Sequence, residues 1–258
     1  MIRRAIIIGN NTGYQAPTYL SGVSRDLVNY KNYLKSNVGG AWLDNEITVI
    51  QNGNKRAILA AISTCVASYS FVVFSGHGFM FSRDKLTYIC VADGLLSENE
   101  LNTGLSKQTL ILDCCREVED ISEARGMGDV QYLEKGGTVG MYKASRTIDS
   151  ARQKFDSAIS ASSAGQCRAY ACDVNETSGD NAASGGVFSS ALMRVGKNFG
   201  AVDNERGYWL SIKSAVQMAT TKINSDPFTN QSPTFITIPN NIILTHPFAI
   251  TNHIQRAW

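Results

Sequence analysis

Short apolar runs alternate with amphipathic stretches from the first residues onward. Residues 3–9 form a β-branched run, and after a loop containing Gly, Asn and Pro, Val23, Leu27, Tyr30 and Leu34 recur at helical spacing, predicting a helix from about Ser21. Residues 46–50 give a second strand and 55–67 a second helix, with Ile58, Leu59, Ile62, Cys65 and Val66 on one side. Phe71-Val72-Val73-Phe74 is apolar at every position, as expected of a central strand covered on both faces. Residues 87–92 predict a short extra strand, and Ser97-Glu98-Asn99-Glu100 has the capping-box arrangement that starts a helix. Thr109-Leu110-Ile111-Leu112 is the next buried strand. Such alternation implies parallel strands joined by crossover helices.

The periodicity stops over 116–155, a length uncommon for a structureless connection unless it has a function. It resumes at 156–162, a candidate strand. A polar Gly/Ser/Asn stretch over 173–186 leads to helices near 187–195 and 209–223, and 234–238 and 242–244 close the chain as strand-like pieces. The pattern describes one α/β domain interrupted by an irregular loop.

Composition narrows the function classes. Of 258 residues, 43% are hydrophobic and 18% charged, with a net charge of +2. That charged fraction lies below the roughly 25% of an average domain, which argues against a disordered charged tail. Without a Lys/Arg run, nucleic acid is not the expected partner, because duplex binding needs a patch that neutralises several phosphates. The apolar stretch after Arg3-Arg4 is too short for a signal peptide, and no run approaches a membrane span, so a cytoplasmic protein is expected. Six cysteines (Cys65, Cys90, Cys114, Cys115, Cys167, Cys172) lack the spacing of a disulfide framework. Three histidines and no C-x-x-C leave no basis for a structural zinc site.

The candidate chemistry sits where two apolar strands end. One runs into Ser75-Gly76-His77-Gly78, the other into Asp113-Cys114-Cys115-Arg116. In open α/β sheets the carboxyl ends of the strands line the ligand crevice, so two parallel strands would bring His77 and the cysteine pair to one edge. An imidazole beside a thiol can take its proton and later protonate a leaving amine. The glycines flanking His77 allow a sharp turn and leave the Gly78 N–H open as an oxyanion donor. Strand alternation favours Cys115, on the face of Asp113 and Ile111, as the reactive thiol, and turns Cys114 into the opposite layer with Leu112 and Leu110. His246 and His253 compete poorly as bases, since one precedes Pro247 and the other lies near the C-terminus.

With Ser-Gly-His-Gly and Asp-Cys-Cys-Arg in that order, each behind a buried strand, the sequence resembles the caspase-like cysteine proteases of clan CD, closest to the metacaspase, paracaspase and bacterial orthocaspase branch. The opening 4–10, the stretch Leu20-Ser21-Gly22-Val23-Ser24-Arg25-Asp26-Leu27, Ala164-Gly165-Gln166 after the fifth large strand, and Gln231-Ser232-Pro233 before the last one extend the resemblance over about 3–245. It implies an α/β caspase-like fold, a central mostly parallel sheet between two helical layers. It further implies one catalytic domain over 1–258, with a large-subunit-like region 1–115, a linker 116–155 and a small-subunit-like region 156–258. Cys115 would be the nucleophile, His77 the general acid/base, and the N–H groups of Gly78 and Cys115 the oxyanion hole. Asp26 and Asp113 fall where the Arg/Lys-specific branch carries the carboxylates of its S1 pocket, which pair with a guanidinium and repel an acidic P1 side chain.

The expected activity is cleavage of protein or peptide substrates after Arg or Lys. The rivals are a catalytically silent scaffold of the same fold and an Asp-specific protease. Asp173 is the first carboxylate after 164–166, where relatives often carry an acid sooner, and Arg116 follows the nucleophile as in caspases and paracaspases. The linker offers Arg125, Lys135, Lys143, Arg146, Arg152 and Lys154 as candidate self-cleavage sites. Glu117-Val118-Glu119-Asp120 is a candidate calcium cluster, although no metal is required by the chemistry. With no segment before the first strand, activation or recruitment is expected through the domain itself or a separate protein, and bacterial stress, cell-death or antiphage signalling is a compatible setting.

Overall fold

The computed structural model of the chain describes residues 1–15, 18–119, 147–201, 208–226 and 229–251. A six-stranded sheet organises it, in the order β11-β9-β7-β3-β1-β2: β1 (Arg3–Asn10), β2 (Ile47–Gln51), β3 (Tyr69–Gly76), β7 (Lys107–Asp113), β9 (Gly165–Tyr170) and β11 (Thr234–Ile238). All neighbours are parallel except the β11–β9 pair.

Period-two alternation divides the apolar residues of the central strands between two layers. Ala5, Ile7, Phe71, Val73 and Ile111 face one side, against α1 (Val23–Lys35), α3 (Thr147–Ala161), α4 (Val187–Ala201) and α5 (Ile212–Asn224). Ile6, Ile8, Val72, Phe74, Leu110 and Leu112 face the other, against Ile58 and Ile62 of α2 (Lys55–Ser63) and Ile89, Val91 and Leu96 of a smaller sheet. The protein therefore has three layers, α/β/α. The smaller sheet joins β4 (Gly78–Phe81), β5 (Thr87–Val91), β6 (Gly94–Ser97) and β8 (Val118–Glu119) in the order β6-β5-β4-β8. β10 (Trp209–Ser211) pairs with β12 (Pro247–Ile250).

Several sequence expectations are corrected. Residues 156–162 are not a strand: they include the last turns of α3, because Ala151, Phe155, Ala158 and Ile159 share one helical face and bury it. Carbonyls at that helix end accept from Lys107 Nζ, at 2.6 Å for Ile159, 3.2 Å for Ser160 and 2.6 Å for Ser162, and that of Ile159 also takes the Ser162 hydroxyl at 2.7 Å. The segment Ala164-Gly165-Gln166 lies at the start of β9 rather than after a strand. The predicted helix over 209–223 begins only at Ile212, where Ser211 Oγ accepts the Ser214 N–H as an N-cap at 3.1 Å. Ile243 in the expected strand 242–244 is 88% exposed, and the closing strand is β12 instead. The capping box at Ser97 is present but opens a single 3-10 turn, Glu98–Leu101.

Within the expected linker 116–155, residues on either side of 120–146 belong to regular elements, and on the near side β8 is fixed along β4. On the far side, Arg152 of α3 forks onto Glu46 at 2.8 and 2.7 Å, and Asp156 lies 3.3 Å from the fully buried Arg3. Arg152 and Lys154 are thus helical residues, not loop sites for self-cleavage; Arg125, Lys135, Lys143 and Arg146 lie outside the described residues.

Candidate active site

β3 and β7 run parallel with Ser75 opposite Asp113, so His77 and Cys115 each follow a paired position by two residues at the same edge of the sheet. His77 is buried between β3 and β4, and its Nε2 lies 2.9 Å from the Thr18 carbonyl in the loop before α1. A carbonyl can only accept, so Nε2 holds a proton, and in the neutral imidazole Nδ1 then carries the lone pair that a base uses. The His77 carbonyl in turn accepts from the Cys90 amide at 2.9 Å, which ties the turn to β5.

Cys115 lies just past β7 and is partly exposed. Its Sγ accepts the Ser178 N–H at 3.3 Å. Burial pushes the thiol up to about 11; the Ser178 amide works against that shift, while Glu117 and Asp113 add to it. At neutral pH such a thiol needs a base to take its proton. Cys114 is buried with Leu110, Leu112 and Tyr170, its thiol held well above the ordinary range by burial. Gly78 packs directly on it: a Cβ at Gly78 would stand 2.6 Å from Cys114 Sγ and 2.9 Å from the Tyr88 carbonyl.

Both candidate specificity carboxylates are gathered beside this pair. Asp26, on the inner face of the first turn of α1, accepts Ser75 Oγ at 2.7 Å and the Gly186 N–H at 3.0 Å on both oxygens. Asp113 accepts Ser178 Oγ at 2.6 Å on Oδ1, and the Ser189 N–H and Oγ at 3.0 and 2.5 Å on Oδ2. Burial raises the pKa of each, Asp26 well above the ordinary range; the charge of Asp113 raises Asp26 further, and that of Asp180 adds to both. Among the described residues no Lys or Arg pairs with Asp26 or Asp113. The polar stretch 173–186 closes against them through Gly185, at φ +97°, where a Cβ would stand 2.1 Å from Asp26 Oδ1, and through Gly186, where it would stand 2.3 Å from Asp113 Oδ2.

Sequence reasoning missed several members of this site. Thr18 contributes a backbone carbonyl, which no residue type announces. Ser178, Asp180 and Ser189 lie in or just after a stretch that reads as loop. Asp180 is a third carboxylate near the pair, with Oδ2 accepting the Gly22 N–H at the start of α1 at 3.0 Å. Asp173, the expected next acid, instead takes part in a turn with Val174 and Glu176.

The other candidates are placed elsewhere. His246 is buried between Thr109 Oγ1 at 3.1 Å and the Ser163 carbonyl at 3.3 Å, and burial pushes it down to about 4, a neutral structural imidazole. His253 lies outside the described residues. Arg116 is packed inward, its guanidinium 4.1 Å from the Tyr170 ring centre and Nε 3.1 Å from Thr87 Oγ1. Val118 and Glu119 of the acidic run form β8, Asp120 lies outside the described residues, and among the described residues no group of three or more His, Cys, Asp or Glu side chains is arranged to hold a metal ion. No helix among the described residues is long and apolar enough to cross a membrane.

A thiol and an imidazole thus stand at adjacent parallel strand ends, with an extra small sheet packed on one face of the main one. The family model for the caspase domain matches residues 2–240, and the chain belongs to the caspase family. Among solved structures it is similar to caspase-1 from Spodoptera frugiperda, at 16% identity over 100% of this chain and 92% of that one, with a TM-score of 0.58, a likeness of fold. No curated protein sequence matches the chain significantly.

Proposed function

We propose that this caspase-family member is a cysteine endopeptidase that cleaves after Arg or Lys, with Cys115 as nucleophile and His77 as general acid/base. The observation that carries the specificity is the buried pair Asp26 and Asp113, next to Cys115 and supported by hydroxyl and amide donors, with no Lys or Arg paired to either among the described residues. A P1 guanidinium supplies that missing charge, and an acidic P1 side chain would add a third negative group. Of the residues that donate to Asp113, Ser178 is only half-buried whereas Ser189 is fully buried, so the approach from solvent runs past Ser178.

In this reading His77 Nδ1 takes the thiol proton as Cys115 Sγ attacks the scissile carbonyl carbon. The carbonyl electron pair moves onto oxygen, towards the N–H groups of Gly78 and Cys115. The C–N bond then breaks, the amine leaves with the proton from His77, and water hydrolyses the thioester with His77 again as base. Asp180 adds negative potential to the pocket. Cys115→Ala should lower hydrolysis of an Arg-containing fluorogenic peptide by at least about 1,000-fold, whereas Cys114→Ala, altering only the packing layer, should retain it. Equal activity of the two variants would overturn the assignment, and a preference for Asp at P1 would overturn the pocket.

A further inference from the structure

One residue connects the thiol to the acid pair. Ser178 points its backbone N–H at Cys115 Sγ (3.3 Å) and its hydroxyl at Asp113 Oδ1 (2.6 Å). The turn that carries it is fastened on both sides. Arg116 N–H donates to the Glu176 carbonyl and Asn175 N–H to the Arg116 carbonyl, each at 3.0 Å. The buried Gln231 accepts the Gly179 N–H at 3.1 Å and donates to the Ala171 carbonyl at 2.7 Å, with Ser178 Oγ at 3.5 Å. Amide and hydroxyl of a single serine therefore face two different functional groups.

We propose that Ser178 is a positioning residue: anchored through its hydroxyl on Asp113, it aims its amide at Cys115 Sγ and stabilises the thiolate, so that Asp113 serves the chemistry as well as P1 recognition. The inference rests on Cys115 being the nucleophile and Asp113 part of the P1 pocket. The charges around Cys115 make such a donor necessary. The carboxylates of Asp113 and Glu117 both disfavour a thiolate, and the neighbouring thiols of Cys90, Cys114 and Cys172 are themselves kept protonated by burial. Against these, a fixed amide dipole is worth most in a partly desolvated position. If the Ser178 hydroxyl lets go of Asp113, the amide loses its aim without any change in the sequence of the dyad.

The test uses the purified full chain and follows alkylation of Cys115 by iodoacetamide against pH, located by mass spectrometry, beside hydrolysis of a P1-Arg peptide. Ser178→Ala should move the alkylation midpoint up by about one unit, roughly a tenfold lower rate below the midpoint. Its kcat should fall by about tenfold, with KM within about twofold. Ser178→Thr keeps hydroxyl and amide and should restore both. Asp113→Asn should move the midpoint down instead, because it removes a negative charge yet leaves an amide oxygen to accept the Ser178 hydroxyl, while raising KM for the Arg peptide. Opposite signs from these two variants support the proposal, since loosening of the loop would move both the same way. A wild-type midpoint in Ser178→Ala, shifts of one sign, or failure of Thr to rescue overturns it. Should Ser178→Ala not fold, Ser178→Gly also removes the hydroxyl and carries the same expectation. If the wild type cleaves Arg peptides but the midpoint does not respond, the inference fails and the protease reading stands. If the midpoint responds but no basic P1 peptide is cleaved, the specificity reading fails and the positioning role stands.

Discussion

Replacing the P1 arginine of a good peptide substrate by citrulline keeps the shape of the side chain and removes its charge, which isolates what the acid pair contributes. Losing one partner of a buried, hydrogen-bonded charge pair costs about 2–5 kcal/mol. The geometry selects the lower part of that range. A carboxylate offers about four acceptor sites. Asp113 has one of them taken by Ser178 Oγ and two by Ser189, and Asp26 accepts Ser75 Oγ and a Gly186 N–H shared between its oxygens. Each therefore has room for about one further bond, so a P1 guanidinium bound as proposed would be held by two single contacts and not by a two-pronged fork. About 2–3 kcal/mol corresponds to a 30- to 150-fold lower kcat/KM for citrulline than for arginine. Both peptides use the same thiol and imidazole, so the titration of these groups cancels in the Arg-to-citrulline ratio. Burial raises the pKa of both aspartates in the free protein, so as pH falls they bind protons before an ordinary carboxylate would. The ratio should accordingly decline with falling pH, beginning above the ordinary carboxylate range. A fluorogenic pair assayed across pH reads both effects. Citrulline cleaved within threefold of arginine, or a ratio that rises on acidification, would refute the acid-pocket reasoning.

Stability measurements test the same charges and the end of α3. A folded-state pKa raised above its unfolded value means that the folded chain holds the proton more tightly, so stability falls as pH rises from the unfolded pKa towards the folded one. Asp26→Asn removes that penalty: its Tm relative to wild type should increase from about pH 4 towards neutrality, and a difference that shrinks over this window would contradict the burial of a charge there. Lys107→Met takes the ammonium from three carbonyls at the end of α3, of which that of Ile159 keeps the Ser162 amide and hydroxyl, and should cost about 1–2 kcal/mol, or about 2–8 °C in Tm by thermal melting; a change below about 1 °C would mean that solvent replaces the ammonium at no cost.

The parts of the site that could be read from the sequence are those written in side-chain pattern. Phe71 to Phe74 and Leu110 to Leu112 are buried on both faces, so their strand character and parallel pairing follow from composition alone, and with them the common edge of His77 and Cys115. Alternation likewise separates Cys114 from Cys115. What escaped is held by backbone atoms or by short polar residues. Thr18 acts through a carbonyl, and Ser178 acts through an amide as well as a hydroxyl, so the polar run 173–186 looks like ordinary loop until its partners are known. The strand expected over 156–162 failed for another reason. The face of α3 is completed by Ala151 and Phe155, upstream of the window where periodicity was visible, and its packing on Trp42 is a long-range contact. β12, four residues opening on a proline, is too short to announce itself.

The anchoring of the chain on both sides of the segment between Glu119 and Thr147 bears on how the molecule can be rebuilt. On one side the Glu117 carbonyl accepts from Met80 N–H at 2.9 Å and the Glu119 carbonyl from Ser82 N–H at 3.2 Å; on the other, α3 is fastened to Glu46, Arg3 and Lys107. Both flanks are thus seated by contacts to residues outside that segment. Lengthening a connection costs only about 0.6 kcal/mol per doubling. A foreign sequence, a reporter domain or a recognition site for another protease spliced in here should therefore leave the main sheet in place, with a Tm close to that of the unaltered chain.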